Sequence, residues 1–167
     1  MLTDLIKAGF GIAEDYNCAE TILAGANQVY HLGLDQDALK LAAGFGGGMA
    51  VEGDCGAITG AIMVLGRLYV KERANGDRGR LWRYNRSDHG FCRLYVKERA
   101  HESDKIKELT KELIEKYRQA MGATDCAPLK AKYRNEEVKC RLVILKAAEI
   151  LDAIVAREDL KSVGINQ

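Results

Sequence analysis

The chain has 167 residues, 47% of them apolar and 29% charged, with a formal net charge of +1. That is room for one domain of ordinary size. It excludes a disordered chain and a strong global field drawing in nucleic acid or a membrane. A single proline points to helices with few extended loops, and no apolar run reaches the roughly 18 residues needed to span a bilayer. The opening residues, with Asp4 and no basic start before an apolar run, do not read as a signal peptide. The expected compartment is the reducing cytoplasm.

From the N-terminus, Leu2 to Asp15 carries a weak helical pattern through Leu5, Ile6, Phe10 and Ile12. Asn17 is a helix cap in type, which places Cys18 in a first turn. Ile22, Ala26 and Val29 then share a face with Cys18. Leu34 to Ala43 reads as a short amphipathic helix with Asp35 as its cap, and Gly44 to Gly48 as its stop and a flexible turn. Asp54 is the expected cap of the next helix, where Cys55, Thr59, Ile62, Met63 and Gly66 form a stripe. The small residues Gly56, Ala57, Gly60 and Ala61 of that helix would let another approach closely. Lys105 to Met121 is a strongly periodic helix with Ser103 as a cap and Gly122 as its stop. Asp125 to Pro128 reads as the opening turn of a short helix or a tight loop. Glu136 to Ala156 is the last long helix, with Cys140 on a stripe with Val143, Ile144, Ala147, Leu151 and Ile154.

The middle of the chain repeats itself. Arg67 to Ala74 recurs identically as Arg93 to Ala100, yet Asn75 to Cys92 is unlike Met49 to Gly66. The genetic code explains the difference. Joining the third base of each codon from Gly48 onward to the first two bases of the next generates sixteen of the seventeen residues from Asn75 to Phe91. Met49-Ala50 forces Gly76, Asp54-Cys55 forces Leu81, Met63-Val64 forces Gly90, and only Asp77 needs a base change. Residues 75–100 therefore read as a 78-base tandem duplication translated mostly out of frame. The segment carries a charge of +4 against −3 for the rest. Its Arg78, Arg80, Arg83 and Arg86, interleaved with Trp82 and Tyr84, imitate a nucleic-acid patch. A frame-shifted origin removes the reason to read them so, and the same holds for His89 and Cys92. The segment is expected as a surface excursion between two helices.

The chain has five cysteines: Cys18, Cys55, Cys92, Cys126 and Cys140. In a reducing compartment these are buried small hydrophobes, metal ligands or redox centres rather than structural disulfides. Helix N-terminal positions would favour thiolate at Cys18, Cys55 and Cys126. Other motifs are absent: no nucleotide-binding glycine pattern follows a strand, and there is no HExxH, GxSxG or CxxC. His31 fits a helix-end role and His101 a surface one. Tyr16, Tyr117 and Tyr133 read as polar-tipped core residues.

The order Asn17-Cys18-Ala19-Glu20, Gly44 to Gly48, Cys55-Gly56-Ala57-x-x-Gly60, Cys126-x-x-Leu129 and Cys140 resembles the family named for its C_GCAxxG_C_C motif, whose members are described as redox-active. The resemblance covers nearly the whole chain outside 75–100 and departs from the motif in having Asp54 before Cys55. A related domain occurs in split-Soret cytochromes, but no CxxCH haem attachment is present. The resemblance implies a small helical protein with Cys18, Cys55, Cys126 and Cys140 as the functional set, and Cys92 outside it.

Three functions remain open for those four thiols. They exchange electrons as dithiol–disulfide pairs with a redox partner, with Cys126–Cys140 and Cys18–Cys55 the simplest of three connectivities and Cys55 or Cys18 the nucleophile. Alternatively they bind an iron–sulfur cluster or zinc as four ligands, or the chain is a structural or partner-binding bundle with buried cysteines. The expected fold is all-α, a single domain over 1–167 forming a compact bundle of four to six helices with an inserted surface segment. Its expected core includes Ile22, Val29, Leu41, Ile62, Leu109, Leu113, Val143, Ala147, Leu151 and Ile154. The wide apolar stripe from Leu142 to Val155 would suit a homo-oligomer. Neither nucleic acid nor a membrane is expected as a partner.

Overall fold

A computed structural model describes residues 1–70 and 104–162. Among these, seven α-helices follow in order: α1 (Leu2–Lys7), α2 (Cys18–Tyr30), α3 (Gln36–Lys40), α4 (Gly56–Tyr69), α5 (Asp104–Met121), α6 (Cys126–Tyr133) and α7 (Arg141–Ser162). The described residues contain no strand, only isolated antiparallel bridges at Asp54–Asp125 and Asn135–Lys139. The all-α bundle expected from sequence is therefore the fold, with seven helices among the described residues rather than four to six, since the short α1, α3 and α6 add to the four long ones. No described helix is long and apolar enough to cross a membrane. The 75–100 insert, Ser103, His101 and Cys92 lie outside the described residues.

The helix α7 is the organising element, packing against α1, α2, α4, α5 and α6. Its Val143, Ala147, Leu151 and Ile154 are buried with Ile22 of α2 and Leu109 and Leu113 of α5. Three expected core positions differ. Leu41, at the end of α3, is 72% exposed, and the adjacent Ala42 is buried in its place. Val29 and Ile62 are only half-buried, since α2 and α4 meet each other closely through smaller residues.

That meeting of α2 and α4 depends on glycine. A Cβ on Gly60 would lie 2.8 Å from the Ala19 carbonyl oxygen and 3.0 Å from its Cα, and one on Gly56 would lie 2.7 Å from the Phe45 carbonyl oxygen and 3.3 Å from Cys18 Cβ. The close approach read from the small residues of α4 is thus present, with the backbone of α2 filling the space a side chain would take.

Two helices differ from their expected extents. The first ends at Lys7 rather than Asp15, because Gly9 and Gly11 have φ of +107° and +87° and take the chain out of helix. The last begins at Arg141 rather than Glu136. Asn135 accepts the Val138 N–H on its side chain at 2.7 Å, its carbonyl accepts the Lys139 N–H at 2.8 Å, and Lys139 is left-handed at φ 45°. This local turn competes with helix. The Asp35 cap and the Gly122 stop are as expected.

Six residues are too few for α1 to persist alone, and α7 caps it at both ends. Asp152, 3% exposed, accepts the Leu2 N–H at 3.0 Å, the Thr3 N–H at 2.8 Å, the Thr3 hydroxyl at 2.6 Å and the Tyr30 hydroxyl at 2.5 Å. At the other end Arg141 donates to the carbonyls of Ile6 at 2.9 Å and Lys7 at 2.7 Å. A bidentate pair between Arg157 and Glu112, at 2.6 and 2.8 Å, ties α7 to α5 and holds the Glu112 carboxyl down at about 2.

Replacing Asp152 by Ala strips four buried donors of their acceptor and should cost about 2–5 kcal/mol, read by urea unfolding, with loss of hydrogen-exchange protection concentrated in α1. Deleting residues 75–100 should leave a folded protein with unchanged helical circular dichroism and a cooperative melt. Collapse of the deletion variant would contradict the reading of that segment as a dispensable duplication.

Candidate thiol site at four helix N-termini

Each of the four described cysteines opens a helix. Cys18 is the first residue of α2. Its predecessor Asn17 accepts the N–H groups of Ala19 at 2.9 Å and Glu20 at 3.1 Å, while Glu20 returns a carboxylate to the Asn17 N–H at 2.9 Å. The sequence Asn17-Cys18-Ala19-Glu20 is thus a capping box, and the cap expected at Asn17 is present. Cys55, not Asp54, is the N-cap of α4, its carbonyl accepting from the N–H groups of Ile58 and Thr59. Asp54 is instead paired across the bridge to Asp125. Cys126 is the first residue of α6. Cys140 precedes α7, its carbonyl accepting the Ile144 N–H at 3.1 Å. The sequence reading had placed Cys140 on a helical stripe; the turn at 135–139 moves it to the helix end.

Short tethers hold these termini together. The Cys55 N–H donates to the Thr124 carbonyl at 2.9 Å and the Cys126 N–H to the Gly53 carbonyl at 2.6 Å, on either side of the Asp54–Asp125 bridge. In this pattern Cys55 and Cys126 are diagonal neighbours on one face, a relation that spans about 7–8 Å, at the outer edge of the reach of a disulfide. Asn17 also donates to the Ala43 carbonyl at 3.0 Å, which fixes the glycine-rich segment against α2. That segment is more than the flexible turn expected of it. Gly47, Gly48, Met49 and Ala50 are consecutive left-handed residues, with φ between 58° and 62°. Such a run is costly for Met49 and Ala50. It seats Gly48 so tightly that a Cβ there would lie 2.8 Å from Cys126 Cβ. A Glu52–Lys130 ion pair at 2.8 Å anchors the end of the turn to α6.

The four thiols differ in character. The neighbouring Cys140 thiol, with burial and the other thiols, pushes the Cys18 thiol far up. Cys18 in turn, helped by Arg134 and Lys130, brings half-buried Cys140 down to about 6 against the opposing cost of burial. Burial also raises Cys55, offset only in part by the Ala57 and Ile58 N–H groups and the Tyr117 hydroxyl, and it raises Cys126 against the pull of Lys130. Helix termini favour thiolate at all four positions, but only Cys140, rather than the Cys55 or Cys18 favoured from sequence, combines a neighbouring thiol and cations with partial exposure, and it is the thiol most readily held as thiolate.

One neighbour escaped the sequence reading. Tyr117 of α5, expected only as a core tyrosine, is fully buried with its hydroxyl 3.9 Å from Cys55 Sγ and 3.2 Å from the Val143 carbonyl. Its spacing in α5 marks it as core, and nothing in the sequence pairs it with a cysteine. Among the described residues, no three His, Cys, Asp or Glu side chains stand close enough together to hold a metal ion.

The ordered thiols, the capping box and the glycines of α4 coincide with a family model described as "Putative redox-active protein (C_GCAxxG_C_C)", which matches residues 16–154. The chain belongs to this family. No curated protein and no solved structure matches the chain. The match runs from Tyr16, just before the α2 cap, to Ile154 in α7, so it takes in all four helix-opening cysteines. A general redox role follows from the family.

Alkylation by iodoacetamide, mapped by mass spectrometry, should reach Cys140 first. Its rate should rise with pH through a midpoint near 6 as the thiolate forms. In Cys18→Ala the thiol that lowers Cys140 is gone and the midpoint should move upward, slowing the reaction severalfold at pH 6.5.

Proposed function

We propose that the protein is a thiol–disulfide electron carrier in which Cys140 and Cys18 form the cycling pair. What supports this reading is that the Cys18 and Cys140 thiols are near enough to shift each other in opposite directions, Cys18 up and Cys140 down, which leaves Cys140 the most acidic of the four. A low-pKa thiolate beside a second thiol is the arrangement thiol–disulfide exchange requires. The Cys140 thiolate attacks a partner disulfide, R–S–S–R, forming a mixed disulfide and releasing one R–S⁻. Cys18 then attacks the Cys140 sulfur, forming the intramolecular disulfide and releasing the second R–S⁻. Two electrons pass to the partner, and the Cys18 proton with one from solvent leaves it as two R–SH. The reverse sequence reduces the protein. This pairing differs from the simplest connectivity read from sequence, which joined Cys126 to Cys140 and Cys18 to Cys55; the backbone bonds of the Asp54–Asp125 bridge bring Cys126 beside Cys55.

A second reading, an iron–sulfur cluster or zinc held by Cys18, Cys55, Cys126 and Cys140, draws support from the gathering of four thiols at four helix N-termini. Thiolates that disfavour one another's ionisation would be stabilised together by a cation, as in four-cysteine sites. The spacing of the side chains favours the first reading.

Protein purified without oxygen should be colourless and free of stoichiometric iron or zinc. Mild oxidation should convert Cys18 and Cys140 to a disulfide that a thiol reductant reverses, with a mass change of two hydrogens. Bound iron with visible absorption bands, or one zinc per chain, would replace this reading with the second.

A further inference from the structure

The Tyr117 hydroxyl has one proton and two neighbours. The Val143 carbonyl, at 3.2 Å, can only accept. While Cys55 is a neutral thiol the phenol proton goes to Val143 and the 3.9 Å contact, in which either atom can donate, is made with the sulfur as donor; only toward a Cys55 thiolate does the hydroxyl become the donor. Val143 lies in the first turn of α7, two residues beyond Arg141, and Cys55 is the N-cap of α4. One buried hydroxyl thus joins the starts of the two helices opened by Cys55 and Cys140.

We propose that Tyr117 is a positioning residue that keeps Cys55 as the reduced thiol, directing oxidation to Cys18 and Cys140. The inference rests on the thiol-exchange reading above and assigns the members of the four-cysteine set different work. A disulfide at Cys55 removes the S–H and leaves the phenol oxygen facing a sulfur that can no longer donate, in a place with 0% exposure of the tyrosine to solvent. Loss of that bond on oxidation is a bias toward the reduced form. The bridge at Asp54–Asp125 adds a second bias, since it holds Cys126 at a diagonal rather than opposite Cys55.

The test compares the full-length protein with Tyr117→Phe across buffers of graded glutathione to glutathione disulfide ratio. In these buffers the reaction at Cys55 is GSSG + Cys55–SH giving Cys55–S–SG + GSH, or the equivalent exchange with a protein thiol. Differential alkylation and peptide mapping read each cysteine separately. Phe keeps the ring, and circular dichroism establishes that the variant is folded. Should it not fold, the comparison is made in the wild type by measuring how far Cys55 lags Cys18 and Cys140, where equal oxidation of all three overturns the proposal. The expected result in Tyr117→Phe is oxidation of Cys55 at a GSSG ratio lower by about fivefold, the worth of one modest hydrogen bond, with the Cys18–Cys140 midpoint unchanged. Identical Cys55 oxidation in both proteins overturns the role of Tyr117. Failure of Cys18 and Cys140 to form a disulfide in the wild type overturns the thiol-exchange reading instead, so the two failures are separate observations.

Discussion

The contact between Gly60 and the backbone of Ala19 is the constraint on which the thiol site depends. With only a hydrogen where a side chain would be, α4 lies against α2 at backbone distance, and the two N-termini, one opened by Cys18 and one capped by Cys55, come side by side. Four residues earlier Gly56 does the same for Phe45 and Cys18. Everything else is arranged around that pair: the Asp54–Asp125 bridge brings in α6 with Cys126, and α7 brings Cys140 through the core it shares with α2, α4 and α5. The glycines of the family motif are therefore part of the thiol chemistry in a mechanical sense, since they set how near sulfur can come to sulfur.

Burial and helix N-termini act in opposite directions on these thiols. A helix terminus offers a partial positive charge and unpaired N–H groups, while removal from water penalises the charged form. At Cys55 and Cys126 burial wins. At Cys140 it loses, because the side chain is half open, adjoins the Cys18 thiol and lies near Arg134 and Lys130. A helix start alone is thus a poor guide to which cysteine reacts. The number of donors and cations that survive after desolvation decides it.

Much of this was legible in the sequence. The helical class, the Asn17 cap, the close-packing role of Gly56 and Gly60 and the ordered cysteines all follow from local residue chemistry, which the fold does not overrule. The failures share a cause. The true start of α7 depends on an Asn135 turn that competes with a helical pattern extending through it. The nearness of Cys18 to Cys140 joins residues far apart in the chain, and spacing carries no information about that. Asp152 sits in the last long helix like any polar residue, and only the packing of α1 shows that it is buried and accepts four hydrogen bonds. The left-handed run through Met49 and Ala50 contradicts the preference of those residues, so no reading from propensity would place it there.

Where the helices begin also determines where the chain can be interrupted. The helix α4 starts at the thiols and runs 14 residues before ending at Tyr69, a length of about 20 Å at the usual rise per residue. The helix α5 runs 18 residues back from Asp104, about 27 Å, to reach the bridge that holds Cys126. The boundaries at 70 and 104 are therefore both at the end of the helix pair remote from the sulfur atoms. An insertion between these boundaries would lengthen a connection without asking either helix to shift along its axis, since the relation of Cys55 to Cys126 is set by hydrogen bonds among residues 53–55 and 124–126. The same event one helix earlier or later, in the few residues between Gly53 and Cys55 or between Gly122 and Cys126, would have broken the bridge itself. The architecture thus has a tolerant pole and an intolerant one, and the end of α4 and the start of α5 both lie at the tolerant one.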